Sequence, residues 1–421
     1  MTNIQPEEHS DVVGGSTAHR RINCPRSYAL EKKLPKDKGS IYAREGTALH
    51  ALMAQVIAEE REPLDLLPYV HSEPARGAEP AWTYTVDELL WAELGEPSLA
   101  AFDRFVARLE EEQGQPARIM VETRCALPGI EGAFGTTDVL ILCGDVIVVW
   151  DWKFGSSPVS AAENDQLMFY ARAAQGDHPE WFKGVERVVL AIMQPKIDSG
   201  QPDIWYTDLP RLERFRLELG DCVNTARTMG ENAPLMKGDW CKFATCKAIC
   251  PLWAGRSMLL AEKLAAAAAR TNDGKPKARD LKDDLPELLE LAEIAEQWAA
   301  QLRSTAHAFL EDGGEIEGWK LVAKKSSGRD WAKSPEDLVK WFRNRKYSLD
   351  DYMPRQMLSP AQAEKLLKAD GRELPEELFT KRPSSGSSMA RANSSRPDYV
   401  PPEQRTSELL AKLREKGYGN E

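Results

Sequence analysis

The apolar positions along the chain recur with two different periods. In the first stretch they follow the three- and four-residue spacing of helices, around Ser16–Ile22, then from Gly46 in GTALHALMAQVIAEE, and again over Val86–Glu112. From Arg118 the period changes to that of strands. Three runs rich in β-branched and aromatic residues follow, separated by turn residues: RIMVETRCAL, GTTDVLILC and VIVVWDWKF. This pattern predicts three consecutive antiparallel strands.

A second helix and strand follow these three strands. AAENDQLMFYARAAQ has helical spacing, Glu186–Pro195 is again rich in β-branched residues, and Leu209–Met229 returns to a helical pattern. The order of helix, three strands, helix and strand is typical of an α/β fold. We therefore expect a central mixed sheet flanked by helices.

The C-terminal part differs in kind. Between Leu285 and Leu310 the apolar residues alternate at spacings of three and four, which indicates either a face packed on the protein's own core or a dimer seam. GWKLVAKKSSGRDW, from Gly318, has the pattern of a hairpin, and short helices are expected from Ser334 and Ser359. We expect a compact domain over residues 1–255 and a mainly helical region over 256–380.

Residues 381–421 are predicted to form a flexible tail. KRPSSGSSMARANSSRPDYVPP is rich in Ser, Pro and Arg, a composition that favours a disordered linker or a basic tail drawn to DNA. The terminal TSELLAKLREKG has the pattern of a short helix that could dock a partner protein.

Composition narrows the class of protein. Of 421 residues 42% are apolar, and the formal charge of -11 argues against a generally basic nucleic-acid coat but leaves room for a local basic groove. The chain shows neither a secretory signal nor an apolar run long enough to cross a membrane. Seven cysteines without a disulfide framework fit a reducing cytoplasm, where clustered thiols favour metal binding. Oligomeric state is left open.

Two carboxylates come together on the predicted hairpin. If Gly144 and Asp145 form a two-residue turn, the register places Asp138 directly opposite Asp151, with Cβ atoms roughly 5 Å apart on one face. Lys153 lies two residues further on, so its side chain points to that face as well. Opposed like charges call for a cation, and hard oxygen ligands suit Mg²⁺ or Mn²⁺. The alternative is that the two aspartates are solvated and Lys153 pairs with one of them.

These residues resemble the motifs of the RecB-like branch of the PD-(D/E)XK nucleases. That family has Gly-x-x-Asp on one strand, Asp/Glu-x-Lys on the next and Gln-x-x-x-Tyr on the following helix. GTTD, DWK and QLMFY match it at Gly135, Asp138, Asp151, Lys153, Gln166 and Tyr170. The resemblance implies a restriction-endonuclease-like core.

The resemblance also implies roles for individual residues. His50, in GTALH, matches a further metal ligand on an upstream helix, and Glu122 matches an acidic residue on the preceding strand. Asp138 and Asp151 would hold the metal together with the carbonyl of Trp152, and Lys153 would orient the attacking water. Gln166 and Tyr170 would contact DNA or the active-site lysine. Otherwise His50 and Glu122 are ordinary core or surface residues, and the Gln–Tyr pair only packs on the sheet.

Four cysteines resemble the iron–sulfur set of some members of this family. AddB-type subunits and CRISPR-associated exonucleases have one N-terminal and three C-terminal cysteines that hold a [4Fe–4S] cluster closing the domain. The corresponding residues are Cys24, Cys241, Cys246 and Cys250. The middle cysteine is shifted by two residues, since the usual spacing falls on Ala244. Zinc at the same thiolates, or no metal, are the alternatives.

The resemblance implies a Mg²⁺- or Mn²⁺-dependent deoxyribonuclease, and it favours an exonuclease over an endonuclease. The layout of the whole chain is similar to a phage protein family of unknown function. This implies a role in phage DNA replication, recombination or end processing in the host cytoplasm, with a replication or recombination protein as a partner of the C-terminal region. A non-catalytic DNA-binding or scaffold protein, or an RNA substrate, is the alternative.

Overall fold

The computed structural model describes most of the chain in two compact units, Met1–Thr305 and Ala306–Glu421. The described residues are 10–34, 41–74, 81–197, 201–269, 284–323, 329–352, 359–369, 372–381, 387–391 and 398–399. The expected domain boundary at residue 255 stays a prediction. The terminal helix expected in TSELLAKLREKG and most of the expected flexible tail lie outside the described residues.

A five-stranded mixed sheet forms the centre of the first unit. Its strands, in spatial order, are β3 (Arg118–Ala126), β4 (Phe134–Cys143), β5 (Val146–Trp152), β6 (Arg187–Met193) and β7 (Asp203–Thr207). The pairing of β5 with β6 is parallel and the other three pairings are antiparallel. The expected α/β fold with a central mixed sheet is therefore confirmed.

Helices cover both faces of this sheet. The helices of the first unit are α1 (Gly15–Asn23), α2 (Ser27–Glu31), α3 (Ile41–Glu59), α4 (Glu88–Leu90), α5 (Glu96–Gln113), α6 (Asp165–Asp177), α7 (Leu209–Met229), α8 (Pro251–Ala269) and α9 (Leu285–Glu311), which ends in the second unit. Because successive side chains of a strand point to opposite faces, β5 serves two cores. Ile147 and Val149 pack with α1, α6 and α7, whereas Val148 and Trp150 pack with α3 and α5.

Several elements differ from the expectation. The helix expected from Gly46 begins earlier, at Ile41, and Val86 belongs to a strand rather than to the following helix. That strand, β2 (Trp82–Val86), pairs antiparallel with β1 (Tyr69–Glu73) in a separate two-stranded sheet. Both strands are short, and half of each faces solvent, so their apolar pattern is weak.

The face of α9 that packs on the protein is offset from the expected apolar stripe. Leu288, Leu291 and Ile294 are the buried residues of this helix, whereas Leu302 and Phe309, both in the expected stripe, are exposed. Ile294 belongs to the small core around the C-terminal cysteines, and the indole of Trp298 donates a hydrogen bond to the carbonyl of Ala248 at 3.2 Å. The N-terminal half of α9 thus packs on its own unit.

The second unit has short helices and two small sheets. Its described elements after α9 are β8 (Trp319–Ala323), β9 (Arg329–Trp331), α10 (Pro335–Arg343), α11 (Leu349–Tyr352), α12 (Pro360–Ala369), β10 (Phe379–Lys381) and β11 (Ser387–Arg391). The hairpin expected from Gly318 is wrong, because β8 pairs with β11 and β9 pairs with β10. The short helices expected from Ser334 and Ser359 are present, each with proline in its first position. Within the described residues no helix has both the length and the apolar character of a membrane span.

Candidate metal and active site

The hairpin of β4 and β5 has the register predicted from the sequence. Val139 faces Trp150 and Cys143 faces Val146, around a turn in which Gly144 has a φ of 60°. Counted from the turn, Val139–Trp150 is the last pair of this ladder. Beyond it a side chain replaces the backbone as acceptor, because Oδ2 of Asp138 accepts a hydrogen bond from the backbone N–H of Trp152 at 2.8 Å. The backbone of β5 therefore fixes the first carboxylate of the site.

His50 reaches the same carboxylate from α3. Its Nδ1 lies 3.2 Å from Oδ2 of Asp138, and its ring contacts the ring of Phe154 edge-on, with 5.4 Å between the centroids. The neighbouring Leu49 is fully buried in the core between α3 and the sheet. The packing of α3 thus places the imidazole beside Asp138, in the middle of β4.

Glu122 completes a group of three metal-type ligands. Val121 faces Val139 and Thr123 faces Thr137, but between them Glu122 leaves the ladder with a φ of 46°. This left-handed conformation costs free energy in a residue with a Cβ, and such strain is concentrated at functional sites. One ligand atom from each of Glu122, His50 and Asp138 lies within 4.8 Å of the others.

Asp151 faces a second set of partners. Its Oδ2 lies 2.5 Å from the ammonium of Lys153, and its Oδ1 accepts a hydrogen bond from Nε2 of Gln166 at 3.3 Å. The same Nε2 donates to the hydroxyl of Tyr170 at 3.0 Å, one turn further along α6. Gln166 therefore links the buried carboxylate to Tyr170.

Two glycines make room for Tyr170. A Cβ added to Gly15, at the start of α1, would lie 2.5 Å from Cε1 of the tyrosine ring, and one added to Gly135 would lie 2.8 Å from it. Both distances are too short for real contacts, so only glycine fits at either position. Gly135 belongs to the motif read from the sequence, but Gly15 was not singled out there. The Gly14–Gly15 pair at the start of the helix is the sequence feature that indicates a close approach there.

Trp152 contributes its backbone to the site, whereas its side chain packs in the core. Its indole is buried among Trp150 and Phe102, and its N–H serves Asp138. The structure brings its backbone to the site, while the carbonyl's role as a ligand stays a prediction.

Burial and charge set the protonation of the site. Burial raises the pKa of Asp151, Lys153 lowers it and Asp138 raises it, and the result is about 6. Burial also disfavours the ionised form of Asp138, but His50, Lys153 and the Trp152 N–H outweigh it and hold the pKa of Asp138 below its usual value. Burial opposes the charged forms of His50 and Lys153, yet the aspartates raise the pKa of both.

The donor set fits a hard divalent cation. Glu122 and Asp138 present carboxylates beside His50, and Asp151, which interacts electrostatically with Asp138, pairs with the ammonium of Lys153. With a neutral His50, the ionised group carries a net negative charge that a divalent cation would neutralise. Carboxylate oxygens with one imidazole suit Mg²⁺ or Mn²⁺ better than a soft, thiolate-seeking metal.

A separate cavity gathers four cysteines. Cys24, from the turn between α1 and α2, and Cys241, Cys246 and Cys250, from the segment before α8, line one small cavity and are all buried. They are free thiols. The sequence shift of Cys246 thus does not take it away from the other three.

Cationic side chains line the same cavity. Arg20 and Lys247 both border it, and the ammonium of Lys247 donates to the carbonyl of Lys242 at 2.8 Å. Burial lowers the pKa of Lys247 and raises that of Cys246 to about 12. Burial of a free thiol favours the neutral form, so a metal or another cation is needed to keep these sulfur atoms ionised. Of the remaining thiols, Cys125 and Cys143 are buried in the cores on the two faces of the sheet, and Cys222 is half-buried and donates to the carbonyl of Ile22.

A family model described as "Protein of unknown function (DUF2800)" matches residues 9–397. The chain belongs to the DUF2800 family. The fold of this DUF2800 protein is also similar to two solved structures, each 12% identical in sequence. One, described as SSO0001, aligns over 58% of this chain and 88% of its own with a TM-score of 0.26. The other, described as LHK-Exo in complex with dAMP, aligns over 50% of this chain and 91% of its own with a TM-score of 0.22.

Proposed function

We propose that this DUF2800 protein is a metal-dependent deoxyribonuclease with a RecB-like PD-(D/E)XK active site. One observation carries the proposal. His50, Glu122 and Asp138 present ligand atoms within 4.8 Å of one another, next to the ion pair of Asp151 and Lys153. The motifs resemble those of nucleases that cut phosphodiester bonds. The layout of the whole chain is similar to a phage protein family of unknown function, which implies a role in phage DNA replication, recombination or end processing.

Each residue has a role in this proposal. His50, Glu122 and Asp138 would hold Mg²⁺ or Mn²⁺, with Asp151 and the Trp152 carbonyl completing the ligand set. The bound cation supplies Lewis-acid chemistry, which polarises a phosphoryl oxygen and makes water a better nucleophile. The Lys153 ammonium would orient the attacking water and stabilise charge that develops on the phosphate. Gln166 and Tyr170 would keep Asp151 and the substrate in position.

The four cysteines are proposed to hold a [4Fe–4S] cluster, with zinc as the alternative. All four thiols line one buried cavity, as ligation of either metal by four cysteines requires. The resemblance to the iron–sulfur nucleases favours the cluster. Its role would be to fasten the two ends of the domain together.

The decisive experiment is a digestion assay with Mg²⁺ or Mn²⁺ on linear and circular DNA. We expect the wild type to degrade DNA and Lys153→Ala to lose at least about a hundredfold in rate, because the developing charge loses its cation. Lys263→Ala is the matched control, since this lysine pairs with Glu287 and is not part of the site. Degradation of linear but not circular DNA identifies an exonuclease.

Two other outcomes would decide against this proposal. If wild type and Lys153→Ala both bind DNA and neither cuts it, the chain is a non-catalytic DNA-binding protein. If RNA competes for the enzyme better than DNA and is the polymer that is cut, the substrate assignment is wrong.

A further inference from the structure

The second unit carries a group of exposed cations that the proposed active site does not use. We call it the α10 basic cluster: Lys340, Arg343, Arg345, Lys346 and Arg372. All five are exposed, and the segment from Leu338 to Ser348 contains no acidic residue, although the whole chain has a formal charge of -11. Within the described part of the chain, none of the five forms an ion pair.

Two of these cations also serve the fold. The guanidinium of Arg345 lies 3.7 Å from the ring centroid of Trp341 and donates to the Trp341 carbonyl at 3.2 Å. Arg372 lies over the ring of Tyr347 and donates to the carbonyl of Arg345 at 3.3 Å. These contacts hold two guanidinium groups in fixed places at the end of α10, where the helix dipole favours positive charge. They account for two of the five cations and leave Lys340, Arg343 and Lys346 without a structural task.

Lys346 occupies a backbone position that favours glycine. The N–H of Tyr347 bonds to the carbonyl of Phe342, and that of Lys346 to the carbonyl of Arg343, which is a Schellman motif. Lys346 therefore occupies the left-handed position, with a φ of 65°, where glycine is the favoured residue. Helix α9 ends in the same motif with Gly313 at that position, with a φ of 86°.

Asp351, in α11 just beyond the cluster, bonds to Ser348 rather than to the cluster. Asp351 accepts hydrogen bonds from both the N–H and the hydroxyl of Ser348, each at 2.7 Å. These hydrogen bonds hold the pKa of Asp351 below its usual value, so the carboxylate is committed to the start of α11. Within the described residues Asp351 forms no ion pair with any of the five cations.

We propose that the α10 basic cluster binds the phosphate backbone of DNA without reading its sequence. Exposed Lys and Arg side chains that lack acidic partners are the groups that neutralise phosphates and release their counterions. Arg side chains fixed against aromatic rings present planar donors that match a phosphate. The cluster would retain the polymer that the proposed nuclease cuts, and in this respect it deepens the proposed function.

The test measures DNA binding by the full-length protein in EDTA, where no cutting takes place. The probe is a fluorescein-labelled oligonucleotide, single-stranded or duplex, followed by anisotropy over a range of salt concentrations. Lys346→Gly removes the charge and places glycine where the backbone favours it, so this variant folds at least as well as the wild type. We expect its affinity for duplex DNA to fall roughly 3- to 10-fold and the log–log salt slope to decrease by about 0.9.

Matched variants separate a specific surface from diffuse attraction. Arg343→Ala should weaken binding as Lys346→Gly does, whereas Lys333→Ala, an exposed lysine just before the start of α10, should not. Wild-type affinity in both cluster variants, or an equal loss in Lys333→Ala, would overturn the proposal. Lys263→Ala, whose lysine pairs with Glu287 outside both sites, should also bind normally. Because binding is measured in EDTA and cleavage in Mg²⁺ or Mn²⁺, failure of the cluster and failure of the proposed nuclease are distinguishable.

Discussion

Asp151 shows how strongly its surroundings determine the chemistry of one carboxyl group. It is 1% exposed and its pKa is about 6, whereas an ordinary aspartate titrates near 3.8. Because the folded value lies above the unfolded one, the metal-free protein holds a proton here between about pH 4 and pH 6. The contribution of this group to stability is therefore present at low pH and is lost as the pH rises through 6. A bound cation competes with the same proton.

Metal affinity should consequently depend on pH. We expect the affinity for Mn²⁺ to fall about tenfold between pH 7 and pH 5, because protons occupy Asp151 in that range. Isothermal titration calorimetry at half-unit intervals measures it. The decrease should shrink in Asp151→Asn, which has no proton to exchange, while the step due to His50 remains. An affinity in the wild type that is constant from pH 7 to pH 5 would contradict this prediction.

Sequence reasoning reached most residues of the site but not their local geometry. Spacing along two strands was enough to bring Asp138, Asp151 and Lys153 together, since register depends only on the turn. The left-handed backbone conformation of Glu122 could not be predicted from the sequence. It arises where the pairing between β3 and β4 is interrupted. The grouping of Glu122 with His50 depends on it.

At the scale of elements, strands with strong patterns were predictable and weak ones were not. β3, β4, β5 and β6 are rich in β-branched residues, and their predicted bounds agree with the structure to within a few residues. β1, β2 and β7 are short and half exposed, so their sequences carry little periodicity. The hairpin expected from Gly318 failed because the partners of β8 and β9 come from about 50 to 70 residues later, and a local pattern cannot report a distant partner.

The packing of α1 against β4 and α6 yields a prediction about Gly15. Gly15→Ala would push its Cβ into the Tyr170 ring and displace Gln166 from Asp151. We expect the rate of DNA cleavage to fall at least about tenfold, since small displacements of catalytic groups are costly. The free energy of unfolding should fall by about 1–3 kcal/mol from overpacking. Both are measurable, by digestion assay and by urea denaturation.

The control for this prediction is Gly255→Ala in α8, where an added Cβ meets nothing within 4 Å. Alanine favours a helix by about 1 kcal/mol over glycine, so that variant should be slightly more stable and equally active. A second substitution tests the cause. If the ring is the obstacle, Tyr170→Leu should restore the stability of Gly15→Ala without restoring its activity. Wild-type cleavage by Gly15→Ala would show that the close approach has no catalytic role.

At the scale of the whole molecule, the cysteine cavity connects the N-terminal segment of the first unit with the segment before α8. Besides Cys24, the guanidinium of Arg26 donates to the carbonyl of Ala233 at 2.7 Å, and its N–H bonds to the carbonyl of Pro234 at 3.2 Å. The N-terminal segment is thus tied to residues more than 200 positions away. A metal at the four thiolates would add a bond of covalent character to these weaker ties.

This arrangement predicts the effect of Cys24→Ala. Anaerobically purified wild type should be brown, with a broad absorption band in the violet-to-blue range and bound iron, and both should be lost in Cys24→Ala. The melting temperature should fall as well, since the binding energy of the metal contributes to folding. Cys222→Ala is the control, because that thiol donates to the carbonyl of Ile22 and does not line the cavity. A colourless wild type with stoichiometric zinc would favour the alternative metal.

The long separation of Cys24 from its companions also affects synthesis. A ribosome adds roughly 5–20 residues per second, so Cys24 emerges about 10–45 s before Cys250 does. During that interval the Cys24 thiol has no other cysteine of the cavity beside it, and Arg26 lacks the carbonyls of Ala233 and Pro234 to which it bonds in the folded protein. The four thiols therefore come together only after Cys250 has been synthesised, and any metal held by all four is bound after that point.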